Sequence, residues 1–205
     1  MIDLHVLLAF IAAVTVLMLI PGPNVALIVA NSVAYGPRYG LLTVAGTATA
    51  MVLQLMLTAL GMAKILAASG VWFEWLRWVG VAYLLYLGLA QWRSAPVDLT
   101  ITKPQPRSQR AIFLRGLLVS LTNPKTLFFY GAFFPQFISP THDVGRQVAV
   151  LSAIFLIIAL VVDSLWALLG GRARFVLARH GRLRNRLSGG VLIGAGLGLA
   201  ALRGG

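Results

Sequence analysis

The first apolar segment of the chain is interrupted by Pro21-Gly22-Pro23-Asn24, and roughly half the chain later Asn123-Pro124-Lys125 interrupts another. A proline inside a helix removes a backbone donor and leaves the carbonyl four residues earlier without its partner. In lipid, such a carbonyl is tolerated only where it is buried in protein or lines a cavity. Matching helix breaks in two halves of a membrane chain are typical of a transporter with a substrate site near the bilayer midplane.

The amino-acid composition is that of an integral membrane protein. Hydrophobic residues make up 59% of the 205 residues and charged residues only 11%, and the mean hydropathy is +0.88. Soluble domains carry about 25% charged residues. The net charge of +12 would suggest a nucleic-acid partner for a soluble protein, whereas in a membrane chain it reports orientation. We therefore expect a surrounding lipid bilayer and no bound nucleic acid.

Reactive residue types are scarce in this chain. It contains no cysteine, which excludes disulfides, thiolate metal sites and cysteine nucleophiles. The three histidines and five acidic residues are scattered along the sequence. A metal centre needs sulfur, imidazole or several carboxylates together, and an enzyme needs a nucleophile with a base or a pair of carboxylates. We predict no metal, no cofactor and no enzymatic activity.

Hydropathy divides the chain into six apolar segments. They are about Leu4–Tyr35, Leu41–Met62, Val71–Trp92, Ile112–Ile138, Gln147–Leu169 and Leu187–Leu202. A membrane-spanning helix needs about 20 residues, which the second, third and fifth segments match. The first and fourth segments are longer, and we predict that each is one broken span, interrupted at the double proline in the first and at Pro124 in the fourth. The sixth is short. The expected fold is an all-α membrane protein of six spans.

The distribution of basic residues predicts the orientation of these spans. Twelve of the seventeen lysines and arginines lie in three alternate loops. They are Arg38, Arg93, Lys103, Arg107, Arg110, Arg115, Arg172, Arg174, Arg179, Arg182, Arg184 and Arg186. Loops rich in lysine and arginine face the cytoplasm. Both termini are then expected on the opposite side of the membrane.

The two broken segments each open a half of three spans. An odd number of spans in each half gives the two halves opposite topologies, as in an inverted repeat. We predict a single transmembrane domain over residues 1–205, with repeats at about 1–93 and 110–205. A polar linker at about 94–109, which contains three prolines, joins them.

Together the two proline motifs, Phe129–Phe137 and the run Val161–Leu169 resemble the LysE/RhtB family of amino-acid exporters. The resemblance covers nearly the whole chain and is nearer to the homoserine/threonine-type branch than to the lysine branch. It implies secondary active efflux of amino acids or close derivatives across the bacterial inner membrane, driven by the proton gradient in an antiporter-like cycle. The termini would then be periplasmic.

Two asparagines flank the predicted breaks. The amides of Asn24 and Asn123 can donate and accept hydrogen bonds, so they can hold freed carbonyls or bind a substrate carboxylate, and the two roles are compatible. The helix-break residues themselves are Pro21, Gly22, Pro23 and Pro124.

Lys125 is the only cation deep in an apolar segment. A charge near the bilayer centre costs at least about 2.5–3.5 kcal/mol, so it normally faces a cavity or a partner. We favour a role in binding a substrate carboxylate, assisted by the dipole of a half-helix N-terminus. The alternative is that the side chain extends to the cytoplasmic interface, since Arg115 is only about ten residues away.

Asp163 is the only acid deep in an apolar segment. It is the candidate for carrying the coupling proton or for binding the substrate ammonium group. The alternative is a fixed ion pair with Lys125 or with a basic loop residue. An interfacial position is also open, because Arg172 follows nine residues later.

A polar stripe runs along one face of the second segment. At 100° per residue, Thr43, Thr47, Gln54 and Thr58 fall within about 60° of one another. Packing between helices explains the threonines at least as well as a cavity does. Gln54 is the best candidate of the four for lining a substrate site. In the last segment Gly190, Gly194 and Gly198 form a small-residue face for packing within the chain or between two copies in a homo-oligomer.

Two alternative functions stay open at this stage. One is a passive channel for small solutes, and the other is an exporter of a metabolite that is not an amino acid. Flux against a gradient separates a coupled transporter from a channel. A panel of substrates separates the two kinds of exporter.

Overall fold

The computed structural model describes residues 2–67, 70–93 and 108–170, with six further residues at 186, 189, 190, 193, 194 and 197. Every regular element within these residues is helical. The α-helices are α1 (Leu4–Leu19), α2 (Pro23–Tyr35), α3 (Pro37–Ala67), α4 (Gly70–Arg93), α5 (Gln109–Leu121), α6 (Pro124–Phe128) and α7 (Val144–Leu168). A π-helix over Phe129–Phe133 and a 3₁₀ helix over Phe134–Phe137 lie between α6 and α7. The predicted all-α fold is confirmed.

The first predicted break lies between α1 and α2. The first helix ends at Leu19, the second begins at Pro23, and their axes differ in direction by 50°. Pro23 occupies the first position of α2, where its missing N–H would have no helical partner in any case. Pro21 lies in the break, so α1 cannot continue its hydrogen-bond ladder beyond this point.

The second predicted break lies between α5 and α6. Helix α5 ends at Leu121, and Pro124 takes the first position of α6. Asn123 caps α6, because its side-chain oxygen accepts a hydrogen bond from the backbone N–H of Lys125 at 3.0 Å. Both breaks therefore occur where the prolines predicted them.

The remainder of the fourth segment departs from the expected simple half-helix. After one turn of α helix the backbone widens into the π-helix and then tightens into the 3₁₀ helix. Pro135 has no N–H to donate to the carbonyl of Gly131, so a regular α-helix cannot pass through this point. We attribute the change of helix type to this proline, which the hydropathy pattern did not reveal.

Among the described residues, two helices are long and apolar enough to cross a membrane, namely Pro37–Gly61 and Val144–Leu168. The bent pair α1 and α2 forms a third candidate if it is counted as one span. Helix α4 covers the third predicted segment, and most of the sixth segment lies outside the described residues. The arrangement of six spans as an inverted repeat stays a prediction.

Packing around the two breaks has two components. An apolar cluster joins α1, the π-helix and α7 through Phe10, Phe129 and Phe155, which are almost fully buried. On another side, α3 and α5 approach so closely that a Cβ atom on Gly46 would collide with the Phe113 carbonyl oxygen. A Cβ on Gly116 of α5 would lie only 2.8 Å from the Thr43 carbonyl oxygen. These glycines bring one face of α3 against the middle of α5, a few residues before the second break.

Candidate functional site

The side chain of Lys125 donates hydrogen bonds to the free carbonyls at the first break. Its amine donates hydrogen bonds of 2.9 Å to the carbonyl oxygens of Leu17 and Ile20. Leu17 precedes Pro21 by four residues, so its carbonyl is the one that this proline leaves without a helical partner. The methylene stem of Lys125 passes over Gly22, where an added Cβ would meet it at 3.5 Å. The deep cation thus bonds to the backbone of the opposite break.

The asparagines of the two breaks bond to each other. The Nδ2 of Asn123 donates to the Oδ1 of Asn24 at 2.9 Å, and the Nδ2 of Asn24 donates to the Oγ of Ser120 at 3.1 Å. All three side chains are at least 95% buried, with exposures of 1%, 5% and 0%. Buried polar groups are costly unless they are paired, and this chain of bonds pairs them across the two halves of the sequence.

Gln54 of α3 donates hydrogen bonds to the free carbonyls at the second break. Its Nε2 donates to the carbonyl oxygens of Ser120 and Leu121, at 3.1 and 3.2 Å. Ser120 precedes Pro124 by four residues, so its carbonyl has lost the usual helical donor. The Leu121 carbonyl is likewise without the N–H of Lys125, which bonds to Asn123 instead. A side chain from a third helix thus supplies the missing donors.

Each break is hydrogen-bonded to a residue of the other break. Gly22-Pro23-Asn24 and Asn123-Pro124-Lys125 occupy equivalent positions, as the cap and the first two residues of α2 and α6. In each half-helix the second residue bonds to the other break, Asn24 to Asn123 and Lys125 to Leu17. Movement of one break relative to the other must disrupt these bonds.

Asp163 lies near this network but is not bonded into it. The residue is 3% exposed on α7, and Lys125 and Tyr130 are close enough to interact with it electrostatically. Within the part of the chain that the structure describes, no ion pair of 4.0 Å or less joins Asp163 to a cation. Asp163 lines a shallow crevice between α3 and α7, beside Met51 and Ala159.

The predicted site residues therefore fall into two groups. Asn24, Gln54, Asn123 and Lys125 meet at the breaks, through hydrogen bonds to each other or to the carbonyls there. Asp163 is close to them without a direct contact. Their roles in binding a substrate stay predictions.

Sequence analysis missed two residues of this region. Ser120 accepts from Asn24 through its hydroxyl and from Gln54 through its carbonyl. Its position four residues before Pro124 was the available signal. Tyr130, on the π-helix, was hidden in an aromatic run that is typical of a hydrophobic core. Its hydroxyl is buried without a hydrogen-bond partner, within electrostatic range of Asp163.

The threonines of the α3 stripe bond to α2 or within α3 itself, and not to the breaks. Thr43 accepts a hydrogen bond from Asn31 of α2 at 2.9 Å and donates to the carbonyl of Tyr39. Thr47 is fully buried and bonds to the carbonyl of Val44 within its own helix. Of the four polar residues on this face, Gln54 is the one that reaches the breaks.

Residues 15–203 match the family model described as LysE type translocator. A homoserine/homoserine lactone efflux protein of Salmonella typhimurium is 34% identical over 164 residues, which cover 80% of each chain. A leucine efflux protein of Klebsiella pneumoniae is 32% identical over 96% of this chain and 95% of its own length. An uncharacterised membrane protein of Vibrio cholerae is 34% identical over 98% of this chain and 99% of its own.

No solved structure gives a significant match to the chain. The family match, the similarity to membrane proteins over nearly the whole length and the apolar helices agree with one another. The chain is a multi-pass membrane protein that belongs to the LysE translocator family.

Proposed function

We propose that this protein exports amino acids or their close derivatives across the bacterial inner membrane, by alternating access at the two helix breaks. The observation that carries the proposal is the reciprocal bonding of the breaks through Asn24, Asn123 and Lys125. Broken helices in corresponding halves form the midplane substrate site in many secondary transporters. The efflux functions named for the Salmonella and Klebsiella relatives support an amino-acid substrate.

Lys125 is the proposed contact for the substrate carboxylate. Its amine is now shared between the carbonyls of Leu17 and Ile20. A carboxylate is a stronger acceptor than a neutral carbonyl, so it can compete for this amine. If the Lys125 amine exchanged these carbonyls for the substrate carboxylate, the first break would lose its bonds to Lys125. Substrate binding would then be linked to a change of conformation.

Asp163 is the proposed carrier of the coupling proton, and it also faces the ammonium group of the substrate. A buried carboxylate must be paired or neutral, and within the described residues no cation lies within 4.0 Å of it. It can therefore alternate between a protonated state and a state in which it holds a cation. Coupling of this kind requires that one group bind both proton and substrate ammonium at different stages of the cycle.

The topology completes the proposal. The basic loops are placed in the cytoplasm and both termini in the periplasm. The two halves are then an inverted repeat, and the equivalent positions of the two breaks on α2 and α6 support that relationship. Rocking of one half against the other around the fixed breaks would open the site to each side in turn.

Uptake into everted inner-membrane vesicles tests this function. We expect accumulation of one or more of L-homoserine, L-threonine and L-leucine when the vesicle interior is acidified, and its loss when a protonophore collapses the gradient. Equal downhill flux with and without the gradient would indicate a passive channel. Absence of flux for a wider amino-acid panel would overturn the assignment of substrate.

A further inference from the structure

Three buried polar atoms have no hydrogen-bond partner among the described residues. They are the Oε1 of Gln54, the hydroxyl of Tyr130 and the Nε1 of Trp166. More than 90% of buried polar groups in native proteins are paired, so each exception calls for an explanation. Two of the three are on residues at least 95% buried, since Gln54 and Tyr130 are 5% and 3% exposed.

The hydrogen bonds of Gln54 establish which of its atoms is unpaired. Both partners of its Nε2 are carbonyl oxygens, those of Ser120 and Leu121. Carbonyls only accept, so the amide cannot be rotated by half a turn without losing both bonds. The unpaired atom is therefore the oxygen, and it needs a donor.

Aromatic packing holds the phenol of Tyr130 in place. Its ring makes edge contacts with Phe155 of α7, at a centroid distance of 5.0 Å, and with its neighbour Phe129, at 6.0 Å. The hydroxyl lies close enough to Asp163 for an electrostatic interaction. A phenol can donate or accept, so the unpaired oxygen of Tyr130 is available as an acceptor for a cation that Asp163 also attracts.

The three acceptors lie on elements that pack together. Helix α3 contacts both α7 and the π-helix. Met51, one turn before Gln54 on α3, lines the same shallow crevice as Asp163, and it belongs to the same apolar cluster as Tyr130. An amide oxygen, a phenol oxygen and a carboxylate are thus carried by neighbouring elements around Met51.

We propose that Tyr130 contacts the substrate and completes an ammonium site with Asp163 and Gln54. A primary ammonium group carries three N–H donors, which match one oxygen from each residue. The ligand class is therefore a primary amine with a free α-ammonium group, and N-methylated analogues are disfavoured. The inference rests on the proposed export function. Trp166 supplies a donor, so it does not belong to this site.

The variant Tyr130→Phe removes only the hydroxyl. In the everted-vesicle assay, with L-leucine and L-homoserine as probes, we expect KM to rise about 3- to 10-fold, the effect of losing one hydrogen bond. Membrane abundance and melting temperature should be unchanged or higher, because the hydroxyl has no partner in the protein. The matched control is Tyr39→Phe, which removes a hydroxyl near the α2–α3 turn and should leave KM unchanged.

Competition by N-methyl-L-leucine tests the ammonium site without a variant. Wild-type protein should be inhibited several-fold less strongly by N-methyl-L-leucine than by unlabelled L-leucine. In Tyr130→Phe this difference should shrink, since one acceptor for the missing hydrogen is already gone. Equal inhibition of the wild type by both compounds overturns the ammonium site, even if Tyr130→Phe fails to insert.

Failure of this inference is distinguishable from failure of the export function. Normal wild-type transport with an unchanged KM in Tyr130→Phe overturns the role of Tyr130 and leaves the exporter intact. If Tyr130→Phe raises KM but leaves the difference in inhibition between N-methyl-L-leucine and L-leucine unchanged, the ammonium assignment is overturned. Absence of wild-type transport for every amino acid tested overturns the export function, and the role of Tyr130 with it.

Discussion

The amine of Lys125 donates to the carbonyl oxygen of Leu17 over 2.9 Å, although 108 residues separate the two in sequence. Pro21 is the reason that this carbonyl is free, because it follows Leu17 by four residues and has no N–H. The cation of one break thus replaces the donor that proline removes from the other. A buried ammonium group is costly in a membrane, and so is a backbone carbonyl without a donor. Here the two groups satisfy each other.

Lys125→Met should destabilise the protein and abolish export. The change strands the carbonyls of Leu17 and Ile20, and each unpaired buried group costs about 1–3 kcal/mol. A melting curve in detergent and the vesicle assay measure the two effects. Lys125→Arg should retain more stability than Lys125→Met, since guanidinium also donates to carbonyls.

Replacing Pro21 tests whether this proline creates the need for Lys125. In Pro21→Ala with Lys125→Met, the new backbone N–H can donate to Leu17, so we expect part of the lost melting temperature to return. Export should stay absent. Pro23→Ala with Lys125→Met is the matched control, because Pro23 follows Leu19 and offers no donor to Leu17. Equal recovery in both double variants would contradict the mechanism.

Asn123→Ala and Asn24→Ala should each abolish export while leaving membrane insertion largely intact. Asn123→Ala removes the 2.9 Å bond to Asn24 and the cap of α6, for an expected loss of about 1–3 kcal/mol. Export and membrane abundance are measured together. Thr49→Ala, on an exposed face of α3, is the control that should behave as wild type. Near-normal export by both asparagine variants would leave these residues without a part in transport.

The double variant Lys125→Met with Asp163→Leu distinguishes function from a fixed ion pair. Removing both members of a structural pair can be almost neutral, whereas removing one typically costs about 3–5 kcal/mol. The two side chains form no ion pair within 4.0 Å, so we expect the double variant to insert and still fail to export. Recovery of gradient-driven export would show that the residues only neutralise each other.

Asp163→Asn should uncouple the protein from the proton gradient. The amide keeps the size of the carboxylate but can neither bind nor release a proton in the working pH range. We expect loss of accumulation driven by an imposed pH gradient, with downhill exchange of substrate reduced less strongly. An undiminished response to the gradient would assign the coupling proton to another group.

The orientation of the chain can be checked by single-cysteine labelling, since the protein contains no cysteine of its own. A cysteine at position 180, in the predicted cytoplasmic loop of residues 172–186, should resist an impermeant maleimide applied to intact cells. A cysteine in place of Thr141, in the exposed turn before α7, should react. The opposite pattern would invert the proposed topology.

The sequence alone was sufficient to locate the breaks and to identify the carbonyls that they free. The effect of proline is covalent and local, so the carbonyl four residues earlier loses its donor in any fold. Composition likewise determines the membrane environment, because too few charged residues are present to cover a soluble surface. These conclusions need no knowledge of which helices are neighbours.

Only the tertiary structure decided which groups replace the lost donors. Lys125 donates to the carbonyl of Leu17, 108 residues away in sequence, and Gln54 donates to that of Ser120, 66 residues away. Their meeting depends on how closely the helices pack, for example on the absence of a side chain at Gly46. Hydropathy and spacing describe one element at a time. The unpaired phenol of Tyr130 was hidden for the same reason, because an unsatisfied bond exists only relative to neighbours that packing brings together.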